Sequence, residues 1–439
     1  EWSNEIGMNV TQGYPGPFYN LTFKKRNIFR GLENFELNGR IGFEGVAAAT
    51  SSGGVYRSTE AGVNASLVFP QFIFPFREAT QIRFGKYNPK TRLSVGYSYS
   101  DRPEYRRASI NLSNNYTWQT ARNTQYSLSP VNISLIKSTE TAAFRARLRQ
   151  LDSLGNYNLV RSFNPSFVSS MIFTVTWNRN YGTYDRNAVF TRAQIETGGT
   201  SLNFIDPGFI TKQGLQYFKY LRFNLDYRKV RILNRWATFA YRLNTGVAYS
   251  YGANHSLPYE KFYFAGGSNS IRAWRPRRLG PGSVPPTLNT NMTDDGMFDY
   301  QFEKPGEILI EGSMELRSKI IGFVDGAVFV DAGNVWSFRN LSSESTDAST
   351  QKGNAQLDPS TFYKEIAIGT GFGLRFDFTF LILRFDIGIK VYDPARDEGD
   401  KFVLDKVSFF KPYAKQDANG NFYDIREPVI YNVGIGFPF

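Results

Sequence analysis

The 439-residue sequence predicts an all-β fold: a transmembrane antiparallel β-barrel of about sixteen strands, with residues 1–439 forming one domain. Alternation is the first reason. Leu93, Val95, Tyr97 and Tyr99 share one face of a segment whose other face is Ser94, Gly96, Ser98 and Ser100. Leu221, Phe223, Leu225 and Tyr227 likewise oppose Arg222, Asn224, Asp226 and Arg228. A period of two marks a strand. Alternating charges opposite a wide apolar and aromatic stripe suit lipid on one side and water on the other, which separates a membrane strand from a soluble one. Composition is the second reason. Aromatics make up 16% of the chain and mean hydropathy is −0.37. No apolar run approaches the ~18 residues of a transmembrane helix. Helix-bundle membrane proteins are thereby excluded, and composition alone leaves a soluble β-sandwich or propeller as the rival. The third reason is that long and short connections alternate in the last third, as they do between external loops and periplasmic turns.

Taken in order, the segments Ser3–Gln12, Phe18–Asn27, Asn34–Val46, Ala61–Gln71, Leu93–Asp101, Arg107–Trp118 and Thr124–Ile136 read as strands. So do Ser166–Asn178, Asn187–Gly198 and Tyr217–Val230. Between them, Thr139–Asp152 reads as a short helix, because Ala142, Phe144, Leu148 and Leu151 recur at helical spacing. A strand over Trp236–Tyr251 leads into a long insertion, Pro258–Gly306. Glu307–Lys319, Phe323–Ser337, Tyr363–Phe378, Ile382–Tyr392 and Val429–Phe439 complete the sixteen.

Charge and rare residues narrow the function. The net charge is +12, but the basic residues are spread along the whole chain rather than gathered into a stripe. Anionic lipid, acidic client segments or a charged lumen therefore fit better than nucleic acid. No cysteine is present, which excludes thiol chemistry and thiolate metal sites in this chain. The single histidine, His255, leaves no room for a histidine metal cluster. Neither a Ser-His-Asp arrangement nor a phosphate-binding glycine motif can be placed. No enzyme activity, metal or cofactor is expected.

The most specific feature is Phe264–Gly282, with four glycines and four arginines in 19 residues. Gly266, Gly267 and Gly280 allow tight turns, and Arg272 is a fork-shaped donor suited to carboxylates. Ile271-Arg272-Ala273-Trp274 resembles the Val-Arg-Gly-aromatic motif of the Omp85 superfamily, whose loop folds back into the barrel lumen. Phe264-Ala-Gly-Gly-Ser-Asn-Ser resembles the lead-in to that motif. Ala273 departs from the family glycine, and Trp274 replaces Phe or Tyr. Phe329-Val-Asp-Ala-Gly-Asn-Val-Trp336 resembles the family's Phe-x-Asp-x-Gly strand. The resemblance implies that the loop, about 258–306, lies inside the barrel with Arg272 bonded to Asp331 and Glu315. Alternation independently places both carboxylates opposite the apolar face. Gly369, Gly371 and Gly373 share one face of their strand, which would make room for the loop.

The C-terminal segment carries a separate signal. Tyr431, Val433, Ile435, Phe437 and Phe439 alternate with Asn432, Gly434, Gly436 and Pro438, and the run resembles the β-signal of outer-membrane barrels with its terminal aromatic on the lipid face. Within the superfamily the BamA/TamA branch is the nearer resemblance, and the Ser268–Arg277 run is more similar to TamA-like proteins of Bacteroidetes-type bacteria. The family then implies an integral protein of the bacterial outer membrane. It would insert or export client proteins through a seam between the first and last strands, helped by periplasmic or lipoprotein subunits. POTRA domains are expected upstream of Glu1. A two-partner-secretion transporter and a passive porin-like channel are the alternatives.

Overall fold

The alternating segments become strands because each can give one face to an apolar and the other to a polar environment. The structure, a computed structural model, describes all residues except 12–13, 48–54, 74–76, 103–104, 122, 143, 147–163, 183–186, 204–207, 253–255, 287, 290, 299–302, 340–352 and 379–380. His255 and most of the expected helix therefore lie outside the described residues.

Among the described residues the strands are β1 (Trp2–Thr11), β2 (Tyr14–Arg26), β3 (Asn34–Ala47), β4 (Val55–Phe69), β5 (Lys90–Asp101), β6 (Tyr105–Ala121), β7 (Thr124–Glu140), β8 (Ser166–Arg179) and β9 (Ala188–Gly198). They continue as the short β10 (Gln216–Tyr217), β11 (Tyr220–Ile232), β12 (Ala237–Ser250), β13 (Ile308–Ile321), β14 (Val324–Trp336), β15 (Ala367–Asp377) and β16 (Ile382–Tyr392). Four two-residue strands follow, β17 (Val407–Ser408), β18 (Lys415–Gln416), β19 (Phe422–Tyr423) and β20 (Glu427–Pro428), and β21 (Ile430–Ile435) is last. Seventeen of these join one sheet. β1 to β8 pair antiparallel in succession. β12 to β16 do the same, and β21 closes onto β16. No described helix is long and apolar enough to cross a membrane.

Contacts divide the chain into two compact units. The first holds residues 1–179, 191–224 and 248–261. Its polar face carries ladders of small neutral groups, where Ser98 meets Ser109, Ser134 donates to Asn111, and Asn115 donates to Ser127 and Ser129, together with ion pairs such as Lys24–Glu36 and Arg102–Glu60. Its opposite face exposes Leu93, Val95, Tyr97, Ile110 and Leu112. The second unit holds residues 180–190, 225–247 and 262–439. On β13 and β14, Met314, Leu316, Val328 and Val330 are exposed, while Glu315 and Asp331 are fully buried on the other face. Exposed apolar and buried charged residues together are the inverse of a soluble sheet, and are what a lipid-facing strand requires.

Several expectations need correction. The last strand stops at Ile435, because Gly436 takes φ +76° and turns the chain, so Phe437–Phe439 leave the ladder. Phe439 is 5% exposed and packs with Phe437 on the Arg317 guanidinium, so the terminal aromatic does not continue the lipid-facing row. Residues 139–140 close β7 rather than open a helix; helical geometry covers Ala142 and Phe144–Ala146. Phe362–Glu365 forms a 3-10 turn, which shortens the strand expected from Tyr363. A short helix at Glu78–Phe84 went unanticipated, since its seven residues are too few to show a period.

Candidate functional site

The insertion after β12 reaches its tip through backbone that only glycine tolerates easily. Gly266 and Gly267 have φ of +97° and +105°. A side chain on Gly266 would meet the Arg275 carbonyl at 2.5 Å. The resulting turn is closed by Gly267 N–H to the Trp274 carbonyl (3.0 Å) and by Gly266 N–H to Ser270 Oγ (3.1 Å). Ile271, Arg272, Ala273 and Trp274 are all buried. At the return, Gly280 (φ +88°) lies where a Cβ would strike Asn334 and Val335 of β14. Asn334 holds this end by donating to the Gly282 carbonyl (2.8 Å).

Arg272 then meets the wall with every face of its guanidinium. Nε and Nη2 donate to the two oxygens of Asp331 (2.8 and 2.9 Å), and its backbone N–H adds a third bond to that carboxylate (3.1 Å). Nη1 donates to Glu315 (2.6 Å) and stands 3.5 Å from Asp386. The plane stacks on Phe329, 3.3 Å from the ring centre. Burial opposes the charge, but the bonds and charge of Asp331, with Glu315 and Asp386, raise the Arg272 pKa above its ordinary value. The bidentate fork is a geometry that lysine cannot reproduce.

The cluster is larger than its three expected members. Glu315 also accepts from Arg317 (2.8 Å) and pairs with Arg375 (3.2 Å). Asp386 accepts from Arg375 (2.5 Å) and lies 3.5 Å from Arg384. Four arginines thus share three carboxylates, a formal excess of one positive charge. Arg384 also reaches the loop, donating to the neutral Asn269 side chain (2.8 Å), while Arg242 donates to the Asn269 carbonyl (2.8 Å). Ser270 donates to Glu311, whose other oxygen accepts from Asn244 (2.8 Å). Asp386 and Arg384 escaped notice in the sequence, although both stand on the polar side of the alternation Leu383-Arg384-Phe385-Asp386-Ile387.

Glycines make the loop's seat. A Cβ on Gly388 would collide with the Arg272 carbonyl, and one on Gly369 would press on Ala273. Gly371 and Gly373 serve differently, giving room to Phe329 and to the Asp386–Arg375 pair. Of the C-terminal residues, Asn432 is 7% exposed and donates to the Arg272 carbonyl (2.9 Å), which ties β21 to the loop tip. Gly434 lies under the Arg384 guanidinium, and Gly436 N–H donates to the Ile382 carbonyl (2.8 Å). Arg317 links Glu315 onward to the Phe439 carbonyl (3.3 Å).

The loop tip is thus a buried arginine, turned in by glycines and held on acidic strand residues. The model of the Omp85 superfamily domain matches residues 3–405. This chain belongs to the Omp85 superfamily. Among solved structures, the Omp85 chain is similar to BamA from Haemophilus ducreyi lacking POTRA domains 1–3, at 17% identity and TM-score 0.57, over 91% of this chain and 68% of that one. It also matches CdiB from Acinetobacter baumannii, at 13% identity and TM-score 0.46, over 91% of this chain and 57% of that one. CdiB from Escherichia coli matches at 11% and 0.43, over 89% of this chain and 59% of that one. The Omp85 chain therefore spans less than two thirds of the two CdiB chains. Omp85 proteins are β-barrel proteins of the Gram-negative outer membrane, and that is where this chain resides.

Proposed function

We propose that this Omp85 chain is the membrane part of a non-enzymatic factor that inserts or exports client polypeptides. Clients enter at a seam formed by the first and last strands, and the loop tip reports on that seam. One observation carries the reading: Asn432 of the last strand bonds the backbone of Arg272, whose side chain is fixed to β13 and β14. Movement of β21 therefore pulls on the residue that seats the loop. β21 is also a weak partner, with six paired residues on β16 against thirteen between β13 and β14. An edge released in this way offers unpaired backbone groups to an incoming strand, so client folding supplies the energy and no cofactor is needed.

The role is a TamA-like one for a restricted set of surface clients, with POTRA domains expected upstream of Glu1 and separate periplasmic or lipoprotein subunits as partners. The Ser268–Arg277 run supports that subtype. A two-partner-secretion transporter is the second reading, and a passive channel leaves the arginine cluster without a purpose. The test is depletion of the full-length protein followed by quantitative outer-membrane proteomics. Loss of a few surface proteins supports the proposal; broad loss of barrels makes the factor general. An unchanged proteome with altered solute uptake refutes it. A disulfide joining β1 to β21 should stop insertion under oxidising conditions, and full activity would place the client route elsewhere.

A further inference from the structure

The connection between β16 and β21 presents two adjacent aromatic rings that its own fold does not cover. Phe410 is 79% exposed and Phe409 39%. The segment itself is held firmly. β17 pairs with β20, Ser408 Oγ donates to the Phe410 carbonyl (2.7 Å), and Lys411 reaches Asp294 (3.2 Å). Nearby charges are also turned to partners: Lys406 to Asp400, and Lys415 to Asp424 (2.9 Å). What remains outward is the apolar pair.

Its place is set by Tyr431, whose hydroxyl donates to the Phe409 carbonyl (3.3 Å). Tyr431 begins the lipid-facing row of the last strand, followed by Val433 and Ile435, and all three are exposed. Phe385, exposed beside Val433 on β16, widens the row. The two phenylalanines therefore continue an apolar surface that already faces the membrane, at the end of the strand where the loop begins. Tyrosine at that level is the usual occupant of a membrane interface, with its ring in the apolar layer and its hydroxyl at the polar boundary.

We propose that Phe409 and Phe410 form a lipid-binding anchor, inserting into the headgroup and acyl-chain boundary of the outer leaflet beside the last strand. The ligand is the apolar chain region of membrane lipid, since the neighbouring cations already have carboxylate partners. Two exposed rings buried at this boundary hold the loop down by the mechanism that seats interfacial helices. The anchor acts next to β20, where Glu427 binds Arg396 and Lys390, and Lys390 lies 5.2 Å from the centre of the Trp274 ring. Lipid contact at Phe410 is thus connected through described contacts to the loop tip.

The absence of cysteine in this chain makes the test direct. The full-length protein, with Phe410→Cys carrying a nitroxide label, is placed in nanodiscs of phosphatidylethanolamine and phosphatidylglycerol. Accessibility to oxygen and to a water-soluble nickel chelate is then measured. Leu374→Cys, exposed on the lipid-facing side of β15, is the membrane control; Asn419→Cys, exposed on the same loop as Phe410, is the aqueous one. The expected result is a several-fold higher oxygen-to-nickel ratio at position 410 than at 419, close to that at 374. A ratio equal to that at 419 would show an aqueous loop and overturn the proposal. Protection from both reagents would show that protein covers the rings, and would overturn it equally. A Phe409→Cys label, read in the same way, keeps the test valid should the Phe410 variant fail to fold.

Discussion

Arg272→Ala withdraws a guanidinium that is 1% exposed from between two carboxylates that are fully buried. The side chain makes three charged hydrogen bonds, two to Asp331 and one to Glu315. Breaking a buried pair by removing one partner costs about 3–5 kcal/mol, because the remaining charge is left without compensation. At ~1.4 kcal/mol per factor of ten, the seated loop should lose roughly two to three and a half orders of magnitude in its preference over the released one. Arg272→Lys keeps the charge but satisfies one carboxylate at a time, so it should lose at least one charged bond, about 1.5–3 kcal/mol. The readout is trypsin cleavage after Arg278, which is 7% exposed while the loop is seated. Cleavage follows the released population when release and reseating are fast. It should accelerate most in the alanine variant and by an intermediate factor in the lysine variant. Heat-modifiable migration on a gel shows that the strands remain folded. Unchanged cleavage in Arg272→Ala would show that the loop is held without this residue, and wild-type behaviour of Arg272→Lys would show that the fork is irrelevant.

Asn432→Ala leaves the buried Arg272 carbonyl without its donor. The cost is about 1–3 kcal/mol, seen as roughly tenfold or faster amide exchange across Ile430–Ile435. Gly388→Ala places a methyl group on the Arg272 carbonyl and should cost about 1–3 kcal/mol of overpacking in thermal denaturation. Gly39→Ala, with open space around it, should not. Burial opposes ionisation of Glu427, but Lys390 and Arg396 prevail and hold its carboxyl below the usual range. A depressed folded pKa stabilises above the unfolded value and is lost as pH falls through the folded one. The loop between β16 and β21 should therefore keep its proteolytic resistance at mildly acidic pH and lose it only below the normal carboxylate range.

The strands were legible because alternation survives in single segments, as on β5, where Leu93, Val95 and Tyr97 prove exposed. The Arg272 motif was legible for a different reason: its glycines, its arginine and Asp331 each stand in a recognisable local pattern. Asp386 was not, since a lone acid on a strand says nothing about which loop lies across it, and the register of β15 on β16 is a long-range fact. The tuck of Phe437 and Phe439 was hidden by the same alternation that revealed the rest. Phe-Pro-Phe continues the period of two perfectly well, and only the left-handed backbone at Gly436 breaks it. Gly371 and Gly388 show the converse limit. Gly371 was noted as a glycine on the polar side and Gly388, on the polar side of β16, was not, but what each makes room for depends on neighbours far away in sequence.

How the charges are shared decides what loop release would cost. With Arg272 withdrawn, Glu315 keeps Arg317 and Arg375, and Asp386 keeps Arg375 and Arg384. Asp331 keeps no partner among the described residues, because every hydrogen bond to its carboxylate comes from Arg272. The wall is therefore neutralised without the loop except at one carboxylate, and the penalty of release is concentrated there. A buried ionic cluster is a poor source of net stability, but it can choose between two conformations, and this one is arranged to do so. Asp331→Asn should then lower the cost of release, raising cleavage after Arg278 while leaving amide protection of β13 to β15 intact. Glu315→Gln should behave differently, since it strips a shared acid from three arginines at once and should loosen strands and loop together. Equal loosening of the strands by both substitutions would show that the cluster is one structural block and not a latch with a single catch.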